Sequence, residues 1–278
     1  MNADLHCHST VSDGCLDPAA LVRRAYANRV ELLALTDHDE LAGVAEAARE
    51  AAALGLRFVA GVEISVSYVE DTTIHIVGLG VDPRNPALLA GLADVRRGRE
   101  DRARRMADEL ERVGLRDALA GARQFARNPE MIGRAHFARH FVASGLMPNV
   151  NTVFEHYLAR GKPGFVSHKW ASLDEAVAWI RGAGGIAVIA HPARYHRLSS
   201  AAFDKLVADF IAAGGEAVEV VAGAHTQEDM LRFARLARQR GLLASRGSDF
   251  HGETESAVDV GRCNPLPPDL TPVWSRLP

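Results

Sequence analysis

Histidine and carboxylate side chains stand at the ends of several short apolar segments of this chain. Nine residues share that placement: His6, His8, Asp13, His38, Glu63, His75, His191, Asp249 and His251. Imidazole nitrogens and carboxylate oxygens are common protein ligands of divalent transition metals. One histidine in such a position is usually a core residue, but six of them at segment ends predict a metal centre.

The spacing within two of these segments supports the same interpretation. Side chains alternate across a β-strand, so His6 and His8 face the same side and Cys7 faces away from them. The pair Asp249-x-His251 repeats this geometry. A single zinc ion takes about four ligands, whereas nine residues approach the supply for three ions if Glu63 bridges two of them.

The elements that position these residues alternate between strands and amphipathic helices. Strands are predicted at 3–6, 31–38, 57–68, 72–80, 185–191, 216–222 and 242–249, with helices at 18–29, 41–54, 172–184, 200–214 and 226–241. The order predicts an α/β fold with a mostly parallel sheet and a hairpin across the polar turn at 69–72. We expect a distorted seven-stranded barrel, with an open doubly wound sheet as the alternative. In a barrel, the active site lies at the carboxyl ends of the strands, where these ligands stand.

The middle of the chain has a different character, since residues 86–160 contain no convincing strand. Helices are predicted at 93–114, 134–144 and 150–161. The predicted organisation is therefore a first barrel part at 1–98, a helical insertion or lid at 99–165, and a second barrel part at 166–278. The charged run 96–101 is interpreted as a solvated helix face.

Composition narrows the function classes. The chain of 278 residues is 47% apolar and 24% charged, as in globular proteins, and its net charge of −3 indicates no general polyanion-binding surface. Three cysteines fit a reducing compartment better than a disulfide framework. Neither a signal peptide nor a membrane-length apolar stretch is visible. We therefore expect a cytoplasmic protein without a membrane partner, and no obligate protein partner is evident.

The motifs resemble those of a known family. They are HCHSTVSDG at 6–14, TDHD at 36–39, GVEI at 61–64, AHP at 190–192 and SDFH at 248–251. Together they resemble the PHP family, the polymerase and histidinol phosphatase phosphoesterases. The resemblance implies a distorted seven-stranded barrel with three metal ions. It implies His6, His8, Glu63 and Asp249 at the first ion, Glu63, His75 and His191 at the second, and Asp13, His38 and His251 at the third.

Three further segments narrow the resemblance to one subgroup. The segments 133–139, 161–170 and 184–195 are similar to those of nucleoside 3′,5′-bisphosphate phosphatases and of a 5′–3′ exoribonuclease. The expected activity is therefore removal of a phosphate from a nucleotide, most of all the 3′-phosphate of a nucleoside 3′,5′-bisphosphate, through a metal-bridged hydroxide. Action on short 5′-phosphorylated RNA and histidinol phosphatase activity are the alternatives within this chemistry. An amidohydrolase or deaminase, or a non-catalytic metal-binding module, would be a different class.

The expected chemistry assigns roles to charged residues. Three divalent ions carry more charge than three carboxylates return, and the surplus suits a phosphate dianion. The ligand types fit Mn²⁺, Fe²⁺ or Zn²⁺ without distinguishing among them, and Mn²⁺ is the ion that we expect. Glu63 would link the ions that hold the nucleophile, while Asp249 and His225 are candidates for supplying the proton to the leaving group. Candidates for contacts with substrate are Arg134, Lys162, Lys169 and Arg194, with Tyr195 or Trp170 stacking on a base.

Overall fold

Seven strands form one sheet whose spatial order equals their order in the chain. The computed structural model describes residues 1–69 and 72–277. The strands are β1 (Ala3–Asp4), β2 (Leu32–Leu35), β3 (Arg57–Tyr68), β4 (Thr72–Leu79), β5 (Ile186–Ile189), β6 (Ala217–Ala222) and β7 (Leu243–Gly247). The first and last strands also approach each other, since the Leu5 N–H donates to the Arg246 carbonyl at 3.0 Å. The sheet is therefore a nearly closed barrel, and the open doubly wound alternative is wrong.

One strand runs against the others. β4 pairs antiparallel with both β3 and β5, and all other neighbours are parallel. The predicted β3–β4 pairing is confirmed, whereas Glu70 and Asp71 of the predicted turn lie outside the described residues. His75 pairs with Ser65, so it is the diagonal neighbour of Glu63 on one face of the hairpin. This reversal brings the two predicted ligands together.

The described helices alternate with the strands except in the middle of the chain. They are α1 (Pro18–Ala27), α2 (Val44–Leu54), α3 (Pro86–Arg112), α4 (Ala118–Phe125), α5 (Arg134–Ala143), α6 (Val150–Val153), α7 (Leu173–Gly182), α8 (Ser200–Ala212) and α9 (Gln227–Arg240). Local sequence sets several of the helix ends. The Ala20 N–H donates to the Asp17 carboxylate at 2.7 Å, and Ser172 with Glu175 forms a capping box. Among these helices, none is both long and apolar enough to cross a membrane.

Apolar residues pack on both faces of the barrel sheet. Small and branched side chains such as Ala3, Ala34, Val188 and Ala217 fill its interior. The opposite faces of β3–β6 pack against α3, α7, α8 and α9. Because both faces of these strands pack against apolar residues, their sequences are almost continuously apolar.

The insertion has an apolar cluster of its own, formed by α3–α6 around Met106, Leu110, Phe137 and Phe141. Helix α3 belongs to both parts, because Leu88 to Val95 pack on the barrel and residues from Ala103 onward pack in the insertion. The predicted boundary at 98/99 therefore falls inside one continuous helix. Helix α3 therefore connects the barrel with the insertion.

Removing one of the two fully buried phenylalanine rings of the insertion core should destabilise the protein. We expect Phe141→Ala to lower the free energy of unfolding by about 3–5 kcal/mol, because this fully buried ring would leave a cavity. Chemical denaturation followed by circular dichroism measures the change. The control is Leu146→Ala, at a 53% exposed side chain, which should change stability by less than about 0.5 kcal/mol. Equal effects of the two substitutions would contradict a packed insertion core.

The start of α5 depends on a neutral histidine. His136 is buried, and its Nδ1 accepts a hydrogen bond from the Gly133 N–H at 3.0 Å. Burial lowers the pKa of His136 to about 4, from 6.5. The unfolded chain therefore takes up this proton at a higher pH than the folded chain does, and the stabilisation is lost as the pH falls from about 6.5 to 4.

We expect His136→Gln to remove part of this pH dependence, because its amide oxygen accepts the same bond without titrating. Between pH 6.5 and 4 the variant should lose about 3 kcal/mol less stability than the wild type does. Urea titrations at a series of pH values measure this difference. His156→Gln, at an exposed position, should follow the wild-type curve.

Candidate metal centre

All nine side chains predicted as ligands meet at one end of the barrel. They form four overlapping groups in which the ligand atoms lie within 4.8 Å of one another. The groups are His6–His8–Asp249, His6–Glu63–His191, His38–Glu63–His75, and His8–Asp13–His38–His251. The overlap means that these residues form one continuous cluster.

Glu63 lies at the centre of this cluster and is fully buried. Its Oε1 is 2.8 Å from His75 Nδ1 and 2.9 Å from His191 Nε2. Its Oε2 is 2.8 Å from His38 Nδ1. The two carboxylate oxygens therefore face different histidines, as a carboxylate that bridges two cations would.

One buried atom shows that the cluster fits a cation. His6 Nε2 makes no hydrogen bond, although it lies 3.3 Å from the Glu63 carboxylate. Buried polar atoms without a partner are rare in native proteins, and binding an ion would satisfy this one. Mixed imidazole and carboxylate donors suit divalent metals. The residues present therefore fit a divalent metal site.

The carboxylates of the cluster are held in the ionised form that binds metals. Burial alone would raise the pKa of Glu63, but the charges of His75 and His38 hold it well below its usual value. Burial opposes the ionisation of Asp249 in the same way, and Arg194 and His6 hold its pKa well below the usual range. Asp249 is thus a poor proton donor, so the role of acid predicted for it is not supported by its surroundings.

The first ligand-bearing loop is held by a buried acid next to the cluster. The Asp37 carboxylate accepts from the Ser9 N–H at 2.7 Å, from the Ser9 hydroxyl at 2.6 Å and from the Ser12 hydroxyl at 2.6 Å. Gly14 closes the loop, because a Cβ there would lie 2.2 Å from the His8 carbonyl oxygen. These contacts fix Asp13, which follows Ser12.

The second loop is held by the insertion. Asp39 is buried with a positive φ of 47°, and its carboxylate accepts from the Ser65 N–H at 2.7 Å and forms an ion pair with Arg99 of α3. Arg96 donates to the Asp39 carbonyl at 2.7 Å. The interpretation of 96–101 as a solvated helix face is therefore wrong for Arg96 and Arg99, because this face of α3 packs on the loop that follows His38.

A cleft between the barrel and the insertion opens onto the cluster. Its inner part is lined by Asp13, His38 and His75, and its outer part shares Thr73 and Trp170 with the inner part. Five arginines line the outer part, and we call this surface the arginine cleft: Arg102, Arg134, Arg160, Arg194 and Arg197. Two of them also line the inner part, so the positive surface is continuous with the cluster.

Two of these arginines are crowded by other cations. Burial, together with the neighbouring Arg134 and Arg99, lowers the pKa of Arg102 to about 9. Burial and Arg99 also lower the pKa of Arg134. Neither of the two forms an ion pair with a carboxylate among residues 1–69 and 72–277. Uncompensated and partly desolvated guanidinium groups are what an anion site requires.

Comparison with known proteins identifies the family. The PHP domain model matches residues 4–122. The chain is 52% identical to the 3′,5′-nucleoside bisphosphate phosphatase of Chromobacterium violaceum, over 99% of this chain and 96% of that protein. The chain belongs to the PHP family. It is also 41% identical to the 5′-3′ exoribonuclease of Haemophilus influenzae, over 98% of each protein.

Solved structures agree with the PHP fold. An amidohydrolase from Chromobacterium violaceum, solved with bound sulfate and no metal, superposes with a TM-score of 0.95 at 52% identity, covering 99% of this chain and 95% of that one. A protein from Bifidobacterium adolescentis named as a metal-dependent phosphoesterase superposes with a TM-score of 0.83 at 30% identity, covering 98% and 93%. The predicted barrel is confirmed, and the metal dependence named for the second protein agrees with the cluster seen here.

The predicted substrate contacts of this PHP chain divide into two groups. Arg134 and Arg194 line the arginine cleft, whereas Lys162 and Lys169 are exposed and contribute to neither part of it. Tyr195 lies in the cleft wall, but its hydroxyl accepts from the His75 N–H and donates to the Ala190 carbonyl, both at 2.9 Å. This residue therefore holds the ends of β4 and β5 rather than offering a free ring.

Two other predicted roles are not favoured by their surroundings. Trp170 is only 8% exposed, and the guanidinium groups of Arg99 and Arg102 lie over its ring, so it has little surface left for a base. His225 belongs to none of the four groups. Its Nδ1 lies 3.1 Å from the Val220 carbonyl and its ring packs against Phe233, so the structure does not bring it to the cluster.

Sequence reasoning missed several residues of the site, including Arg99, Arg102 and Glu219. Glu219 had a visible signal, because it is a lone carboxylate in the otherwise apolar strand AVEVVA. For Arg99 and Arg102 the spacing of three residues on one helix face was the only signal, and charged residues at that spacing are usually solvated.

Removing the central carboxylate should reduce metal binding. We expect Glu63→Gln to retain fewer Mn²⁺ ions per chain after dialysis than the wild type, because a neutral amide cannot bridge two cations. Elemental analysis by mass spectrometry measures the ratio of metal to protein. The matched control is Glu46→Gln, at an exposed position on α2, which should bind as the wild type does. Unchanged metal content in Glu63→Gln would contradict the central position of this carboxylate.

Proposed function

We propose that this chain removes the 3′-phosphate from nucleoside 3′,5′-bisphosphates. The observation that carries the proposal is the arginine cleft, which continues directly from the metal cluster and offers a second anion site beside it. A substrate with two phosphates needs two such sites. The 52% identical relative named as a 3′,5′-nucleoside bisphosphate phosphatase supports the same substrate class.

The reaction class follows from the family, since the chain is a phosphoric-ester hydrolase of the PHP type. For the metal centre we propose three divalent ions, with Mn²⁺ as the preferred metal. They would be bound by the three ligand sets that the resemblance to the PHP family implies. Divalent ions bound there would lower the pKa of a water molecule and neutralise the charge of the phosphoryl oxygens. The ionised Glu63, Asp13 and Asp249 would hold these ions, and the six histidines would complete the set.

The residues of the cleft would bind and orient the phosphate that does not react. Arginine presents a planar fork of N–H donors that matches phosphate oxygens, so Arg102 and Arg134 are suited to a phosphate dianion. A bound dianion would also relieve the mutual repulsion of Arg99, Arg102 and Arg134. The binding energy of the remote phosphate would thereby hold the other phosphate at the cluster.

Arg194 would connect the two sites. Its guanidinium forms an ion pair with the Asp249 carboxylate at the cluster, and it also lines the arginine cleft. The side chain is 48% exposed, so it remains accessible to a ligand. We therefore expect Arg194 to contact substrate between the two phosphates.

The first experiment compares phosphate release by the Mn²⁺-loaded protein from five substrates. These are adenosine 3′,5′-bisphosphate, 5′-AMP, 3′-AMP, histidinol phosphate and a short 5′-phosphorylated RNA. We expect release from the bisphosphate well above that from either monophosphate, because only the bisphosphate fills both sites. Release from histidinol phosphate alone, or from none of the five by a metal-loaded protein, would overturn the proposal.

A second candidate function is 5′–3′ exoribonuclease activity. It is favoured by the 41% identity to the Haemophilus influenzae exoribonuclease, which extends over 98% of both chains. A cleft that binds a 5′-phosphate serves both substrates, because short RNA presents the same group next to the scissile bond. Release of mononucleotides from the 5′-phosphorylated RNA at a rate above that of phosphate release from the bisphosphate would make this the main activity.

Substitution in the cleft should separate binding of the second phosphate from the reaction. We expect Arg134→Met to raise the KM for adenosine 3′,5′-bisphosphate by about tenfold to a hundredfold, because a hydrogen bond to a charged group contributes roughly 1.5–3 kcal/mol. Steady-state kinetics measure this change, and the kcat/KM for 3′-AMP should change much less. The control is Arg104→Met, at an exposed position on α3. Equal losses on both substrates would contradict a site for the second phosphate.

A further inference from the structure

Strand β6 provides no ligand to the cluster, yet it carries one buried carboxylate. Glu219 is 1% exposed, and it stands two residues after Ala217, whose side chain packs in the barrel interior. Alternation along the strand therefore places Glu219 in the interior at the end nearer the cluster. An irregularity between Glu219 and Val221 follows, and Val220 and Val221 both pack outside the barrel.

The two oxygens of Glu219 have separate partners, and both partners are predicted ligands. Oε1 lies 2.7 Å from His6 Nδ1. Oε2 accepts a hydrogen bond from the backbone N–H of His191 at 2.5 Å. His191 has a positive φ of 27°, a backbone conformation that side-chain-bearing residues rarely adopt and that this hydrogen bond helps to hold.

From these contacts we infer that Glu219 is a positioning residue of the metal centre, which sets the tautomer of His6 and fixes the turn that carries His191. A hydrogen bond from His6 Nδ1–H to Glu219 leaves the lone pair of Nε2 free. This Nε2 atom is buried, makes no hydrogen bond and lies 3.3 Å from the Glu63 carboxylate. Carboxylates that orient a metal-binding histidine in this way strengthen metal binding.

The inference predicts a specific failure in Glu219→Gln, a nearly isosteric substitution. The backbone N–H of His191 can only donate, so the amide oxygen must accept from it. The amide NH₂ group then faces His6 Nδ1, which can accept only if the ring proton moves to Nε2. In that tautomer Nε2 carries a proton and cannot bind an ion, so the variant loses a ligand without losing volume.

The first readout is metal affinity, measured by competition with a chelator on the full-length protein. We expect Glu219→Gln to bind at least one Zn²⁺ ion about 10–100-fold more weakly than the wild type. The control is Glu216→Gln, which makes the same chemical change at a partly exposed carboxylate paired with Arg276. Unchanged affinity in Glu219→Gln would overturn the inference.

The second readout separates positioning from a merely structural role. Nitrogen-15 NMR of the Zn²⁺-loaded, histidine-labelled protein reports which ring nitrogen carries the proton, and the His6 signals are those absent from His6→Asn. We expect Nδ1–H in the wild type. An Nε2–H tautomer there would overturn the inference even if the glutamine variant failed to fold, and so would retention of the wild-type His6 signals in Glu219→Gln.

The inference depends on the ligand set proposed above but not on the substrate. Both readouts report on the metal and on His6, so they give the same result whichever phosphate ester is hydrolysed. Failure of the bisphosphate assay would not affect the role inferred for Glu219. Conversely, if Glu219→Gln left the metal affinity and the His6 tautomer unchanged, the inference would fail even with normal bisphosphate hydrolysis.

Discussion

The fully buried carboxylate of Glu63 is the constraint around which the barrel is arranged. An ionised group without solvent is strongly unfavourable unless opposite charges or hydrogen-bond donors surround it. Glu63 is surrounded by His38, His75 and His191, which come from three different parts of the sheet. Only the reversed direction of β4 places His75 beside Glu63 on the same hairpin. The antiparallel strand of the mixed barrel thus brings one of the histidines to the buried charge.

A second set of buried carboxylates positions the residues of the proposed ligand set. Four carboxylates outside the proposed ligand set each accept a hydrogen bond from a backbone N–H next to the cluster: Asp4 from Ser248, Asp37 from Ser9, Asp39 from Ser65 and Glu219 from His191. Each bond fixes backbone at or beside a ligand-bearing segment. The positive φ angles of Asp39, His191 and Asp249 are maintained in this setting. The cluster thus depends on backbone positions that the ligands alone do not determine.

Sequence predicted the local features well and the long-range ones poorly. The seven strands and the ligands at their ends follow from patterns within a few residues, such as the alternation in His6–Cys7–His8, and Cys7 does pack in an apolar layer away from the cluster. The residues of the arginine cleft come from α3, α5, the turn at Arg160 and the segment after β5, most of which are far apart in the chain. Whether a helical arginine is solvated depends on what covers it, and the insertion covers Arg99 and Arg102. Lys162 and Lys169 were predicted by proximity in sequence, which did not bring them to the cleft.

The cations around the cleft come from both the barrel and the insertion. Arg99 neutralises Asp39 below the cleft, so its charge is largely compensated, whereas Arg102 and Arg134 retain theirs. Arg194 stands between the two regions and pairs with Asp249, a proposed ligand. A phosphate in the cleft would compete with Asp249 for Arg194 and would leave that carboxylate without its cationic partner, which strengthens its attraction for a metal ion. A phosphate bound in the arginine cleft would thereby favour cation binding at the cluster, where the other phosphate reacts. A substrate with a single phosphate would lack this coupling.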